Sequence, residues 1–174
     1  MAVLIVVGLA RSGKDSVADY LAERHGFSKY VLSDVLAEEL ERRNEIASKE
    51  NMNLLGDELR AKHGMAVIAE RLLKKIREKG NLAIVGPRSI EEILAIRKKF
   101  PEAKIIEVRA APEKRFERRS PLDPVEEKKF FERDSNDLEK KGLRKVLNKK
   151  DFLIENRGDL KGLHLKIESL VQNI

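Results

Sequence analysis

The chain has 174 residues and no cysteine, which excludes disulfides and thiolate metal sites. It has no tryptophan, only two tyrosines and six phenylalanines, and a single glutamine, Gln172. So few rings leave little for stacking against nucleic-acid bases. The three histidines, His25, His63 and His164, are scattered, and none stands at ligand spacing from another. That argues against a zinc site. No long apolar run is present, so no membrane-spanning helix and no membrane partner are expected. Linkers, internal repeats and low-complexity tracts are missing too. What remains is one domain with room for a sizeable core.

Charge is what the sequence has in excess. Charged residues make up 38% of it and the formal net charge is +6, against a usual charged share of about 25%. Acidic residues are interspersed with the basic ones nearly everywhere. The basic excess therefore reads as a solvated, ion-paired surface, and no nucleic-acid partner is expected. Richness in Lys and Glu with few heat-labile side chains is typical of heat-adapted proteins. The chain opens Met-Ala-Val-Leu-Ile and enters an apolar run at once, with no basic lead or cleavage site. The expectation is a soluble, cytoplasmic protein.

The most informative segment is Gly8-Leu-Ala-Arg11-Ser12-Gly13-Lys14-Asp15, between the apolar run Val3–Val7 and an amphipathic stretch beginning near Ser16. A strand, a glycine loop and a helix start match the phosphate-binding P-loop, G-x-x-x-x-G-K-[ST], at every position but the last. Gly8 and Gly13 let the backbone turn and approach an anion closely. The loop N–H groups, those of Arg11 and Ser12 among them, join the helix N-terminus in an anion site. Lys14 reaches the outer phosphates as a point charge. The last position normally carries a hydroxyl for Mg²⁺; here it is Asp15, followed by Ser16. A carboxylate beside a phosphate repels it unless a metal lies between them, so Asp15 is a candidate Mg²⁺ ligand.

Beyond the loop, strands alternate with helices. Strands are expected at Val3–Val7, Ser28–Leu32, Leu82–Val85, Lys104–Val108 and Asp151–Ile154. Helices are expected over 15–24, from a Ser33-Asp34 cap over 35–40, and over 52–62 and 65–79. Others follow over 89–100, with a Ser89/Glu92 capping box, over 112–119, over 125–147 with Gly142 as a possible break, and over 162–173. The alternation implies an α/β fold with a five-stranded parallel sheet flanked by helices. Ligands in such sheets bind at the C-terminal strand ends, so the five polar loops there should gather on one edge.

Those loops carry the other candidates. Asp34 could orient or deprotonate an acceptor hydroxyl, or support Mg²⁺; simple capping is its alternative. Arg88, in the stiff Gly86-Pro87 turn, can grip a phosphate bidentately. Arg60 is a similar, weaker candidate on a helix expected to cover an acceptor pocket. Arg115, Arg118 and Arg119, with Arg133 further on, bracket a break at Ser120–Pro124. They read as a hinged flap that closes over transferring phosphates, or as a plain charged helix pair. Asn156-Arg157-Gly158 follows the last strand, where Asn156 and its backbone could read a nucleobase edge or simply form a turn.

Together Gly8–Lys14, Ser33-Asp34, Leu55–Arg60, Gly86-Pro-Arg88-Ser89, the arginine flap and Ile154–Gly158 resemble the nucleoside-monophosphate-kinase-like group of P-loop phosphotransferases. Within it the chain looks most like archaeal adenylate-kinase-related and dephospho-CoA-kinase-like proteins. The resemblance implies a P-loop NTPase fold with an acceptor-binding region over about 34–64 and a small lid over about 113–140. It implies transfer of the γ-phosphoryl group of ATP, with Mg²⁺, to a small acceptor, a nucleotide first of all. Lys14, Asp34, Arg88, Arg115 and Arg119 would be catalytic. Gly8, Arg11 to Ser16, Asn156 and Gly158 would hold ATP, Ser33, Asp34, Arg60 and Arg88 the acceptor, and Asp15 and Asp34 the metal. Two departures stand out. Adenylate kinases usually carry an Asp where this chain has Val85, and the loop ends Gly-Lys-Asp, as in phosphomevalonate kinases. Dephospho-CoA or phosphomevalonate kinase activity, and a nucleotide-binding regulator without turnover, are the alternatives.

Overall fold

Strand β1 (Val3–Val7) is buried along its whole length, as an apolar strand at the centre of a parallel sheet must be. In the computed structural model of the chain, residues 1–77, 79–121 and 123–174 are described. Glu78 and Leu122, which fall within the predicted helix over 65–79 and the predicted break over 120–124, lie outside the described residues. The remaining strands are β2 (Ser28–Val31), β3 (Leu82–Val85), β4 (Lys104–Arg109) and β5 (Phe152–Glu155). All pair in parallel, in the order β2-β3-β1-β4-β5. Val6 stands opposite Val85 on one side and Ile106 on the other.

The two-residue period of the strands divides the core. Leu4 and Val6 face a layer formed by helix α1 (Lys14–His25) and helix α9 (Leu160–Val171), through Val17, Leu21, Leu163 and Ile167. Val3, Ile5 and Val7 face the opposite layer. There α2 (Leu32–Arg42), α3 (Lys49–His63), α4 (Val67–Leu73) and α5 (Ile90–Lys99) cover the sheet with Leu36, Leu59, Ile68 and Ile96. Each such side chain contributes about 1.5–3 kcal/mol by leaving water. Both faces of the sheet are thus held, and its C-terminal edge is a rigid platform for loops.

Several local expectations change. β2 ends at Val31, and α2 begins directly at Leu32 with Val31 extended before it and no side-chain cap. Ser33 and Asp34 therefore sit inside the first turn rather than capping it; Asp34 still favours the helix through its dipole. The capping box at Ser89 is half formed. Ser89 Oγ accepts from the Glu92 N–H at 3.2 Å, but Glu92 Oε2 accepts from the Arg88 N–H at 2.7 Å. The helix predicted over 65–79 shortens to α4. The single helix predicted over 125–147 is three pieces: α7 (Glu127–Ser135), a π turn (Asn136–Lys140) and α8 (Leu143–Leu147). Gly142, at φ 85°, makes the turn into α8. Helix α6 (Pro112–Glu117) precedes them.

Candidate active site

Gly8 and Gly13 have φ 147° and 106°. A Cβ on Gly8 would lie 2.3 Å from the Val108 carbonyl oxygen, and one on Gly13 would lie 2.4 Å from Asn156 Nδ2. Both the backbone angle and the space demand glycine. The loop so shaped curls over the start of α1. Lys14 Nζ crosses it to donate to the Leu9 carbonyl at 2.9 Å. Burial, then the nearby Arg88 charge, pulls the Lys14 pKa down to about 8, while Asp15 and Asp137 oppose the shift. Ser12 is buried, and its Oγ has no hydrogen-bond partner.

The loop forms one wall of a cleft of about 910 Å³. Four of the five predicted strand-end loops meet there. The fifth, after β4, does not line it; Arg109 and Ala110 line a separate cavity with Ser12 and Arg115. Among the described residues the cleft is lined by eight basic and four acidic side chains. That excess of positive charge suits a polyanion.

Elsewhere in the cleft, Arg60 Nη2 donates to Oε1 of the fully buried Glu92 at 3.3 Å. Arg88 Nη1 donates to Asp137 on the π turn at 3.1 Å, and Lys141 shares that carboxylate at 3.0 Å. Ser33 and Asp34 line the same wall. Partial desolvation raises the Asp34 pKa, with Glu38 and Asp15 adding to the effect and Lys29 and Lys75 opposing it. Asp15 stands on the cleft rim and pairs with Lys29 at 3.3 Å; Lys29 also donates to Asp19 at 2.8 Å. Val85 is buried at the end of β3. Among the described residues no group of three or more His, Asp or Glu is placed to hold a metal ion. Mg²⁺ needs only one or two carboxylates when phosphates and waters complete its shell. Asp15, Asp34 and the Ser16 hydroxyl, all lining the cleft, fit that donor set.

The flap arginines divide. Arg118 and Arg133 line the cleft. Arg118 Nη2 donates to the Gly158 carbonyl at 3.4 Å, and its Nη1 is buried without a hydrogen-bond partner. Arg115 and Arg119 do not line the cleft. Arg115 is 3% exposed and grips Asp134 bidentately. Its Nη1 also donates to the Ala10 carbonyl of the P-loop at 3.2 Å. Arg119 lies outside, over the Phe116 ring at 4.1 Å, and donates to the Phe116 carbonyl. Asn156 Nδ2 donates to the Ser12 carbonyl at 2.9 Å. One of its two amide N–H groups thus shapes the loop, and Asn156 also lines the cleft. Of the acids that hold these cations, Asp123, Asp134 and Asp137 carry no signal singly, and Glu92 signals only a helix cap. The Arg133-Asp134 pair beside Phe130 and Phe131 is the one pattern in the sequence that could point to the Asp123 and Asp134 pairs.

A five-stranded parallel sheet of this order, with a glycine loop after its central strand and a basic cleft above it, defines a P-loop protein of kinase-like architecture. Residues 4–155 match the model of the AAA domain family. Among similar sequences, a UPF0200 protein from Thermococcus sibiricus is 35% identical over 99% of this chain and 95% of its own. One from Hyperthermus butylicus is 33% identical over 99% and 94%. The chain belongs to the AAA domain family and to the UPF0200 proteins. Among solved structures, shikimate kinase from Bacteroides thetaiotaomicron superposes with a TM-score of 0.64 at 15% identity, covering 98% of each chain. Shikimate kinase from Aquifex aeolicus gives 0.61 at 16% identity, covering 98% of this chain and 96% of its own. At that identity the likeness is one of fold. No helix among the described residues is long and apolar enough to cross a membrane.

Proposed function

We propose that the protein is an ATP- and Mg²⁺-dependent phosphotransferase that moves the γ-phosphoryl group to a small acceptor, a nucleotide being the first choice. One observation carries the reading. Lys14, Arg60, Arg88, Arg118 and Arg133, from five separate elements, converge on one cleft. Arg60 Nε, Arg118 Nη1 and two nitrogens of Arg133 are buried there without a hydrogen-bond partner. Buried unpaired donors are costly, so their cost points to an anionic ligand that they would bind.

In this reading the P-loop amides and Lys14 bind the outer phosphates. Arg118 and Arg133 offset negative charge on the transferring group and help exclude water. Arg60 and Arg88 hold the acceptor, and Asp34 faces its hydroxyl or phosphate, with Ser33 beside it. Asp15, Asp34 and Ser16 would hold Mg²⁺, which would offset the negative charge of the phosphates. Dephospho-CoA and phosphomevalonate are the next acceptors to consider. A regulator that binds nucleotide without turnover is favoured by Val85 and by the Asp15–Lys29 pair.

The test is ATP consumption with a panel of nucleoside monophosphates, dephospho-CoA and phosphomevalonate, with the product identified by mass. A phosphorylated acceptor supports the reading. ATP binding without acceptor-dependent consumption supports the regulator.

A further inference from the structure

Three buried or half-buried groups meet at the mouth of the phosphate site. Asp123 is 5% exposed. One oxygen accepts from Arg11 Nε at 2.6 Å and from the Ser120 N–H at 2.9 Å. The other accepts from Arg133 Nη1 at 2.8 Å. Arg11 belongs to the P-loop and Arg133 to α7, so one carboxylate ties both to the flap. The face of the Phe130 ring supports the Arg133 guanidinium at 4.8 Å. Only Nη1 is spent on Asp123; Nε and Nη2 are buried and make no hydrogen bond. A guanidinium fixed at one nitrogen, backed by a ring and left with two donors is preorganised for an oxyanion.

We propose that Asp123 is a positioning residue that presents Nε and Nη2 of Arg133 to the γ-phosphate of the bound nucleotide. This rests on the phosphotransferase reading above. Three features support it. Arg11, Asp123 and Arg133 line the same cleft as Lys14. Arg133 is close enough to Lys14 to depress the pKa of its ammonium, and Lys14 is the group that reaches the outer phosphates. The Asp123 carboxyl is held down to about 2 against its own burial, by Arg133, the Ser120 N–H and Arg11. It is therefore ionised at any working pH and never ceases to hold Arg133.

A γ-phosphate contact is read by the preference for a non-hydrolysable ATP analogue over ADP, which needs no acceptor. A part that serves only the fold would weaken both nucleotides alike. Dissociation constants for both are measured with wild type, Asp123→Asn, Arg133→Met and the double variant. Each single variant should lose about tenfold to a hundredfold of the preference, the worth of hydrogen bonds to a charged group. The double variant should lose no more than Arg133→Met. A wild-type preference in either single variant overturns the proposal, as do losses that multiply in the double variant, or equal weakening of both nucleotides. If Asp123→Asn does not fold, Arg133→Met and Asp123→Glu, which keeps the charge, decide it. Arg133→Met must lose the preference and Asp123→Glu must keep part of it; any other result overturns the proposal. Failure of wild type to bind either nucleotide overturns the functional reading itself.

Discussion

Arg115 and Asp134 form a bidentate ion pair between α6 and α7, Nη2 to Oδ2 at 2.6 Å and Nη1 to Oδ1 at 3.1 Å. Next to it in the chain, Arg133 reaches back to Asp123. The dipeptide Arg133-Asp134 thus clasps the segment before α7 by two ion pairs of opposite polarity. Both pairs touch the P-loop, at Ala10 and Arg11. The rings of Phe116, Phe130 and Phe131 pack edge-on beneath, with Phe130 as their centre at 5.4 and 5.2 Å. The segment from α6 to α7 is joined to the P-loop by charge and packed on rings.

Arg115 should therefore matter for stability. Breaking a buried pair from one side costs about 3–5 kcal/mol. Arg115→Ala should lower the melting temperature by roughly 10 °C, at about 2–4 °C per kcal/mol for a chain of this size. Arg119→Ala, at an exposed site, should shift the melting temperature by no more than about 2–4 °C. Thermal melting of the two variants checks this; equal melting temperatures would contradict it.

The strands and the P-loop were legible because their signals are local. Five apolar residues from Val3, then glycines at 8 and 13, place a strand and a tight loop without any distant contact. The division of labour among the flap arginines was not legible. The sequence reading puts Arg115, Arg118 and Arg119 in one helix over 112–119, but α6 ends at Glu117, and Arg115 is turned by Asp134 and Ala10, contacts that no local pattern shows. The π turn at Asn136–Lys140 shifts the phase of everything after it, which no residue count through 125–147 could show. Asn156 reads from sequence as a base contact or a turn; its bond to the Ser12 carbonyl, for which Gly13 leaves room, depends on a contact 144 residues away. Val31 replaces Ser33 at the start of α2 because β2 runs straight into the helix.

Lys14 gives the pH dependence. Its folded pKa of about 8 lies below the ordinary 10.5. Below pH 8 the ammonium is charged and attracts phosphate. Above it the nucleotide-free protein has lost that charge, and binding must restore a proton. Affinity for an ATP analogue should be flat below pH 8 and then fall about tenfold per pH unit, by proton linkage. Asp123 behaves oppositely. Its pKa of about 2 lies below the usual 3.8, so the stability it supplies is complete above 3.8 and is lost only as pH falls through 2. Titration of analogue affinity from pH 6 to 9 checks the first point; a flat profile across pH 8 would count against it.

Under the proposed function, Asp15 and Asp34 set the metal dependence. Asp15→Ser restores the hydroxyl common at this position and frees Lys29 from one of its two pairs. It should keep Mg²⁺-dependent nucleotide binding. Asp15→Ala combined with Asp34→Ala should lose most of that dependence, because it removes both carboxylates from the rim. Mg²⁺ titration against analogue binding reads the difference, and a wild-type Mg²⁺ curve from the double variant contradicts the assignment.

The central claim is that Lys14 serves phosphate and not the fold. Among the described residues its ammonium donates to the Leu9 carbonyl of its own loop, and its side chain lines the cleft. The most direct measurement pairs ATP turnover with thermal melting in wild type and Lys14→Ala. The account predicts a variant that melts within a few degrees of wild type and consumes no ATP. A folded Lys14→Ala variant that still turns over ATP with saturation would contradict it.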